Sequence, residues 1–493
     1  MRRRQFLRTI AAGAGAAAVA RLLPGAFAVE AARRTLNVLF VAVDDLRPEL
    51  GCFGHPTIQS PHIDKLAAQG TAFLRAYVQQ AVCAPSRASL LTGTRPDTTR
   101  IYGLRTPVRK RMPKVLTLPQ HFRDNGYETV SLGKIYHHRD DDNGLGWSIP
   151  AWHPSGPWQG RQYRTEEAIA AMRERDATNP PRKGIGPAFE AADVPDNGYP
   201  DGVTAEKAIE ELRRLKAAGR PFFLAVGFYK PHLPFNAPKR YWDLYDRAKI
   251  PLPANRRWPK GMPPMAGTNW GELRQYTGIP PKGNLSDAQA RELIHGYHAC
   301  VSYMDAQLGR VVAELERLGL REKTIIVLWG DHGWKLGEYS AWCKHTNFEL
   351  DTHAPVVLSV PGQKNAGKKT KALVEFVDIY PTLCEAAGLP VPDHLEGTSM
   401  MPLLDDPDRP WKKAAFSQYP RGKLMGYTMR TDRWRYTEWR DRKTRKVAAR
   451  ELYDHEADPG ENVNVAGKPE RKDVVAKLAA MVDAGWQAAK PGM

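Results

Sequence analysis

The chain has 493 residues, of which 42% are hydrophobic and 26% are charged, and its formal net charge is +18 at pH 7. This length allows one large domain or two domains with well-buried cores, and a basic excess of this size favours polyanionic partners or a solvated basic surface. The sequence has no zinc-knuckle spacing, RNP-like aromatic motif or recognition-helix pattern, which disfavours a nucleic acid as that partner. None of the five cysteines forms a C-x-x-C pair, which disfavours a zinc or dithiol redox centre. The sequence does not decide whether disulfides join Cys52, Cys300, Cys343 and Cys384.

Residues 1–28 are predicted to be a twin-arginine signal peptide. Arginines at positions 2–4 precede Gln5-Phe6-Leu7, an Ala/Gly-rich apolar run follows at 10–20, and Ala26-Phe27-Ala28 offers a small-x-small cleavage site. An ordinary Sec signal is the alternative. Twin-arginine export predicts a bacterial source. It also predicts a periplasmic or secreted protein that is not bound to a membrane after cleavage of the signal peptide. No interior run approaches the length of a membrane helix.

Buried strands alternate with helices along the chain that follows. Continuous apolar, β-branched runs predict strands at 37–43, 128–132, 222–228 and 324–329. Helices are predicted at 62–70, 117–125, 203–218 and 286–318. This alternation predicts an α/β fold with a mainly parallel sheet flanked by helices. Stretches rich in Pro and Gly at 139–200 and 251–285 are predicted to be loops.

Ionisable side chains follow the end of each of these strands. They are, in chain order, Asp44, Asp45, Lys134, His137, His232, Asp331 and His332. Because ligands bind at the carboxyl ends of the strands in such sheets, we expect these groups to lie on one rim. Each also has a plain alternative as a solvated turn or a hydrogen-bonded loop residue. The acidic side chains would bind a cation, the basic side chains would bind an anion, and an activated side chain would act as nucleophile. Together these groups predict metal-assisted transfer of an anionic group.

A cysteine stands at the predicted start of a further helix. Pro85 fits its first turn, Gly93 fits its end, and Arg87 lies one turn after Cys83. Free N–H groups and the helix dipole favour a developing negative charge at such a position. On these features alone, a buried and inert cysteine is the favoured interpretation.

The order of residues around this cysteine changes that interpretation. Cys83-Ala84-Pro85-Ser86-Arg87, followed by Leu91-Thr92-Gly93, resembles the signature of the type I sulfatases, whose cysteine is oxidised to formylglycine. Residues 94–100 (TRPDTTR) and Asp331-His332-Gly333-Trp334 resemble the iduronate-2-sulfatase branch. The resemblance implies an alkaline-phosphatase-like catalytic domain, placed at 35–410. A change in character near residue 411 predicts a smaller C-terminal α+β subdomain at 411–493.

The resemblance also implies a role for each site residue. The calcium ligands would be Asp44, Asp45, Cys83, Asp331 and His332. The catalytic residues would be Cys83, Arg87, Lys134, His137, His232 and Asp331. The substrate would be bound by Lys134, His232, Lys344 and Trp334. Within these sets, Asp331 is expected to accept the proton of the nucleophile, His232 to act as general acid, and His137 to act as the base that releases sulfate.

The sequence therefore predicts a hydrolase of sulfate monoesters, acting on 2-O-sulfated uronic acid residues of a sulfated polysaccharide. Its cofactors would be Ca²⁺ and a formylglycine made from Cys83 by a formylglycine-generating modification system. Two alternatives stay open: a phosphomonoester or phosphonate-ester hydrolase on the same scaffold, and a sulfated-glycan-binding protein with an unmodified cysteine. Arg105, Arg109 and Lys110 are candidates for contacting a uronate carboxylate, with a surface position as the alternative. The linkage position, endo or exo action and the oligomeric state are not decided by the sequence.

Overall fold

A computed structural model describes residues 35–139, 141–156, 161–178 and 183–492. The predicted signal peptide at 1–28 lies outside the described residues.

The strands are, in chain order, β1 (Asn37–Val43), β2 (Thr71–Phe73), β3 (Ala76–Tyr77), β4 (Glu128–Gly133), β5 (Phe189–Ala192), β6 (Phe222–Phe228), β7 (Phe235–Pro238), β8 (Thr324–Gly330), β9 (Lys335–Leu336), β10 (Trp342–Cys343), β11 (Val356–Ser359), β12 (Lys369–Thr370), β13 (Val374–Glu375), β14 (Ala415–Arg421), β15 (Leu424–Arg430), β16 (Trp434–Asp441) and β17 (Val447–Asp454). The α-helices are α1 (Pro61–Ala68), α2 (Cys83–Thr92), α3 (Pro96–Thr99), α4 (Val108–Arg111), α5 (Leu118–Asp124), α6 (Glu166–Thr178), α7 (Pro200–Ala218), α8 (Lys239–Trp242), α9 (Asp287–Arg317), α10 (Glu349–Thr352), α11 (Ile379–Ala387), α12 (Met401–Asp405) and α13 (Lys472–Ala484).

Seven strands form one sheet in the order β12-β2-β11-β8-β1-β6-β4. Within it β8, β1, β6 and β4 are parallel neighbours, whereas β11 runs antiparallel to both β8 and β2. Every residue of β1 is buried, as a sheet covered on both faces requires. The predicted mainly parallel α/β fold is confirmed.

Alternate residues of β1 enter two different hydrophobic cores. Leu39 and Val41 pack in a core that contains residues of α7 and α9, and Val38 and Phe40 pack in a core that contains residues of α2 and α5. The helix predicted at 286–318 is α9, which begins after a capping box formed by Ser286 with the first helical turn. The sheet is therefore covered by helices on both faces, which leaves its ends as the place for a site.

The parallel strands end level with one another. Val43 of β1 pairs with Phe228 of β6 and with Gly330 of β8, so the residues that follow these three strands leave the sheet at one edge. The neighbouring strand β4 turns sharply at Gly133, whose φ is 70° and where a Cβ would lie 2.1 Å from the carbonyl oxygen of Gly227. Only glycine fits such a turn without strain.

The stretch 139–200 differs from its prediction as a loop. It contains α6 and β5, and its last residue begins α7. The buried part of α6 is a single residue, Ala168, so no apolar stripe marks this helix in the sequence. The short strand β5 forms a parallel pair with β7, a contact between distant segments that local patterns do not reveal. In contrast, the regular structure in stretch 251–285 is limited to short 3₁₀ turns.

The C-terminal strands β14 to β17 form a separate antiparallel sheet, and α13 packs against it. Helix α13 ends at Ala484, because Gly485 takes a φ of 75°. A buried cluster joins this part to the segment at β13: Lys412 Nζ lies 2.8 Å from Glu375 and 2.7 Å from Asp378. The predicted boundary at 410/411 stays a prediction.

The described helices include none that is both long enough and apolar enough to span a membrane. All five cysteines are buried and carry free thiols. The disulfides that the sequence left open are therefore absent from this fold.

Candidate active site

Cys83 is the first residue of α2, and the extended residue Val82 leads the chain into this helix. The Cys83 side chain is buried, and its Sγ lies 3.2 Å from Nε2 of His332. The Ser86 hydroxyl donates to the carbonyl oxygen of Asp331, which ties the first turn of α2 to the end of β8. Burial raises the pKa of the Cys83 thiol well above its ordinary value, so an unmodified Cys83 is a neutral thiol.

Arg87 is fully buried and joins the ends of three strands. Its Nε lies 3.0 Å from Asp331 Oδ2, and its Nη2 lies 3.2 Å from Asp44 Oδ1. Its Nη1 donates to the carbonyl oxygens of Lys134, at 2.6 Å, and Ile135, at 2.8 Å. Because one planar guanidinium makes all of these contacts, it fixes the segments after β1, β4 and β8 relative to one another.

The carboxylates of Asp44, Asp45 and Asp331 lie close together, and all three residues are fully buried. The Asp45 backbone N–H donates to Asp331 Oδ1 at 2.8 Å, and the Lys134 ammonium pairs with Asp44. Burial raises the pKa of Asp44, but Lys134 and the other cations around it outweigh burial and hold this pKa well below its ordinary value. Burial raises the pKa of Asp45 to about 7, with Asp44 adding to the rise and Lys344 opposing it. A further positive charge beside Asp45 would favour its ionised form.

The donor atoms around Cys83 fit a divalent cation. Two sets of three have their ligand atoms within 4.8 Å of one another: Asp45 with Cys83 and His332, and Asp44 with Cys83 and Asp331. The Nδ1 of His332 donates to the Gly333 carbonyl at 3.0 Å, which leaves Nε2 with a lone pair, 3.4 Å from Asp45 Oδ1. Carboxylate oxygens are the donors that Ca²⁺ prefers.

Two predicted substrate-binding cations also contact this cluster. Lys344 Nζ lies 3.0 Å from Asp45 Oδ1 and 4.7 Å from the centre of the Trp334 ring. His232 Nε2 lies 3.8 Å from Asp45 Oδ2, while its Nδ1 donates to the Leu233 carbonyl at 2.6 Å. Trp334 is fully buried, so its contact with the site runs through Lys344 by a cation–π interaction.

The turn that carries His232 is held by two buried charged residues. The carboxylate of Asp201 accepts the backbone N–H groups of Tyr229 and Lys230, each at 2.8 Å. The Lys230 ammonium donates to the carbonyl oxygens of His232, at 2.8 Å, and Pro234, at 2.6 Å. Asp201 lies at the start of α7, far along the chain from this turn, so sequence analysis did not single it out.

Glu272 is the site residue that sequence analysis missed. Its Oε2 lies 2.8 Å from Lys344 Nζ, and its Oε1 lies 3.0 Å from His232 Nε2. Burial raises the pKa of Glu272, but Lys344 and His232 outweigh it and hold the pKa well below its ordinary value. Glu272 is the only acidic residue in the stretch 251–285, which is the one sequence signal that singles it out, but no motif or periodicity there predicts a site residue. Only the fold brings it to the site.

His137 lies at the edge of the cluster, beside a pocket of about 630 Å³. The ring is buried, and burial together with Lys134 and His138 lowers its pKa to about 2, so it is a neutral imidazole. Its Nδ1 has no hydrogen-bond partner among the described residues. The Nδ1 lone pair is therefore free, although a pKa this low makes the resting imidazole a weak base.

Comparison with known proteins identifies the family. A family model described as Sulfatase matches residues 36–389, and one described as N-sulphoglucosamine sulphohydrolase, C-terminal, matches residues 337–486. The chain belongs to the sulfatase family. Membership makes this sulfatase a sulfuric ester hydrolase, as the motif at Cys83 predicted.

Individual relatives agree with this assignment. The iduronate 2-sulfatase of Mus musculus is 36% identical over 475 residues, which cover 82% of this chain and 84% of the mouse protein. A solved structure of a 2-O GAG sulfatase matches with a TM-score of 0.71 at 23% identity and covers 92% of each chain. The phosphonate monoester hydrolase of Agrobacterium radiobacter matches with a TM-score of 0.72 at 23% identity and covers 91% of this sulfatase and 95% of that chain. At these identities the two structures establish a shared fold.

Proposed function

We propose that this sulfatase hydrolyses 2-O-sulfate esters on uronic acid residues of a sulfated polysaccharide. The observation that carries the proposal is the meeting of three buried carboxylates, His332 and two lysines around Cys83 at the edge of the sheet. The likeness to iduronate 2-sulfatase supports the substrate class. The basic excess, which remains after the five arginines of residues 1–28 are subtracted from the net charge of +18, suits a polyanionic chain.

We further propose that a formylglycine-generating system converts Cys83 to formylglycine. The neutral, buried thiol supports this, because an unmodified Cys83 offers no thiolate nucleophile. The proposed calcium ligands are Asp44, Asp45, residue 83, Asp331 and His332. Bound together, the hydrated aldehyde would supply a hydroxyl nucleophile and Ca²⁺ would supply charge stabilisation.

The residues of the chain itself then have separate tasks. Arg87 holds Asp331 in place, and the Asp331 carboxylate accepts the proton of the attacking hydroxyl. Lys134, Lys344 and His232 bind the oxygens of the sulfuryl group, where fixed positive charge stabilises the transition state. His137 is the proposed base that completes the release of sulfate, and its Nδ1, which has no hydrogen-bond partner among the described residues, supports this role.

His232 is the proposed acid for the leaving alcohol. Since its Nδ1–H is donated to the Leu233 carbonyl, the proton it transfers is the one on Nε2. Burial lowers the pKa of His232, while Asp44 and Glu272 oppose this, and the Glu272 carboxylate at 3.0 Å stabilises the imidazolium. Positioned acids contribute about 10²- to 10⁴-fold to the rate. We expect His232→Ala to lose this factor on poor leaving groups and far less on an activated aryl sulfate, and an equal loss on both would remove the acid assignment.

One experiment tests the function. The protein is produced with and without a co-expressed formylglycine-generating enzyme, the Cys83 peptide is analysed by mass spectrometry, and rates are measured on defined 2-O- and 6-O-sulfated disaccharides and on paired aryl sulfate and phosphate esters. We expect activity only in the modified sample, with preference for the 2-O-sulfated uronate, and none in Cys83→Ser produced without the enzyme. Faster phosphate hydrolysis would favour the phosphoester alternative. An unmodified thiol in an inactive protein that binds the saccharide would favour a binding protein.

Export is part of the same proposal. The arginine-rich start and the site ending at Ala28 support twin-arginine transport to the periplasm or outside the cell. We expect Arg3→Lys with Arg4→Lys to retain the precursor inside the cell in a fractionation experiment. Normal export of this variant would point to the Sec alternative.

A further inference from the structure

A cationic pocket opens beside the proposed sulfate site. It has a volume of about 630 Å³, and its lining includes Arg109, Lys110, His137, His138 and Arg139. His137 belongs both to this lining and to the proposed catalytic set. A substrate whose sulfate is bound at Cys83 therefore has this pocket, called here the His137 pocket, within reach of its next polar groups.

The cations of the His137 pocket are not equivalent. Arg109 is buried, and its Nη2 lies 2.8 Å from Asp142 Oδ1, so its charge is already compensated. Asp141 accepts the backbone N–H of His138 at 2.8 Å and holds the loop that carries this imidazole. Lys110 is exposed on the short helix α4 and has no ion pair among the described residues. Arg139, also in the lining, has interactions of its own. Lys110 is thus an uncompensated charge that a bound anion would meet.

Glu272, beside the proposed sulfate-binding residues, is compensated in the same way as Arg109. It lies 2.8 Å from Lys344 and 3.0 Å from His232, and these two residues hold its pKa well below its ordinary value. Lys110 differs from both charged residues, since the described residues include no ion-pair partner for it.

We propose that the His137 pocket is a subsite for a second anionic group of the saccharide, a carboxylate or sulfate near the ester that is cleaved, and that Lys110 and the His138 imidazole contact it. This inference rests on the proposed function, since it places the substrate relative to a sulfate bound at Cys83. It adds that the enzyme distinguishes saccharides with an anionic neighbour from neutral ones. Arg109, by contrast, shapes the pocket without offering a free charge.

The test compares Lys110→Ala with Lys114→Ala, a matched removal of an exposed lysine that does not line this pocket. Three probes are used with the modified holoenzyme: an aryl sulfate, a 2-O-sulfated uronate disaccharide, and the same disaccharide with its uronate carboxyl reduced to an alcohol. Since an exposed ion pair changes binding by about two- to fivefold, we expect Lys110→Ala to raise KM for the carboxylate disaccharide by that factor. The aryl sulfate and the reduced disaccharide should be unaffected, and Lys114→Ala should match the wild type on all three.

The outcomes separate this inference from the proposed function. An equal change on all three probes, or no change on any, would overturn the subsite. Hydrolysis of none of the sulfates by the wild type would overturn the proposed function instead. Lys110→Arg keeps the charge and should restore the wild-type KM, whereas a failure to do so would also count against a role for the charge. The unchanged rate on the aryl sulfate shows at the same time that each variant is folded.

Discussion

Removal of the Arg435 charge tests how the C-terminal sheet is joined to the site. The Arg435 side chain is 1% exposed, its Nε lies 2.7 Å from Glu461 Oε1, and its Nη2 pairs with Glu349. Its Nη1 donates to the carbonyl of Asn347 at 3.0 Å, three residues after Lys344. Arg435 therefore connects β16 to the segment that carries a proposed substrate-binding lysine.

Breaking a buried ion pair by removing one partner costs about 3–5 kcal/mol, because the other charge is left buried. For Arg435→Met the loss in the free energy of unfolding should lie near the lower end of this range, at about 3 kcal/mol, because both carboxylates keep another partner. Glu461 keeps His455 Nε2 at 3.0 Å, and Glu349 keeps the Tyr77 hydroxyl at 2.7 Å.

The assay is urea unfolding followed by tryptophan fluorescence, with the midpoint and the slope both fitted. The control is Arg433→Met, the same substitution two residues away, where the side chain is 39% exposed and pairs with Asp454. That variant should lose about 1 kcal/mol or less. The double variant Arg435→Met with Glu461→Gln should recover about 1 kcal/mol or more, since it removes the buried carboxylate that lost its arginine partner. A loss equal to that of the control, or purely additive effects, would refute this account of the cluster.

The remaining predictions concern the cation, Glu272 and pH. Removal of divalent cations with a chelator should lower the free energy of unfolding, measured by calorimetry. The decrease should be about 2.7 kcal/mol relative to a sample with Ca²⁺ at 100 times its Kd, and Asp331→Asn should abolish the difference between the two samples. Glu272→Gln should strengthen inhibition by inorganic sulfate about fivefold in aryl sulfatase assays, since the Glu272 carboxylate no longer competes with sulfate for His232 and Lys344. Weaker inhibition would show that Glu272 positions these two side chains instead. Burial raises the pKa of Glu451 from 4.5 to about 7, so its protonated form stabilises the fold below pH 4.5 and this contribution of about 3 kcal/mol is lost as pH rises to 7. Glu451→Gln should flatten unfolding stability over that range, and an unchanged slope would contradict the shift.

The parts of the fold that the sequence predicts are those with strong local patterns. The buried run of β1 predicts a strand, and its end at Asp44-Asp45 places two carboxylates at the edge of the sheet. The level register of Val43 with Phe228 and Gly330 then brings the residues after the other strands to the same edge. Helix α6 escaped prediction for the opposite reason, because it buries only Ala168 and has no apolar period to detect.

The motifs predict the site residues that follow strands or stand at Cys83, but they do not predict what surrounds them. Glu272 is the only acid of an irregular stretch whose path depends on long-range packing, so the sequence gives no indication that this acid reaches the site. The same holds for Asp201, which reaches the turn at Lys230 from the start of α7. Residues that position a catalytic group or compensate its charge need only the right location in three dimensions, so no sequence pattern around them indicates their role.

The formal charges of the site favour the binding of a cation beside the carboxylates. The buried or nearly buried charged side chains are four carboxylates, Asp44, Asp45, Asp331 and Glu272, and three cations, Arg87, Lys134 and Lys344. With His232 neutral their sum is −1, and burial then favours protonation of one carboxylate, in line with the raised pKa of Asp45. The imidazolium form of His232, which the proposed acid requires, changes the sum to 0, and a divalent cation would change it to +2. A site with this positive balance would attract an anionic ester, so binding of the cation would strengthen binding of the substrate.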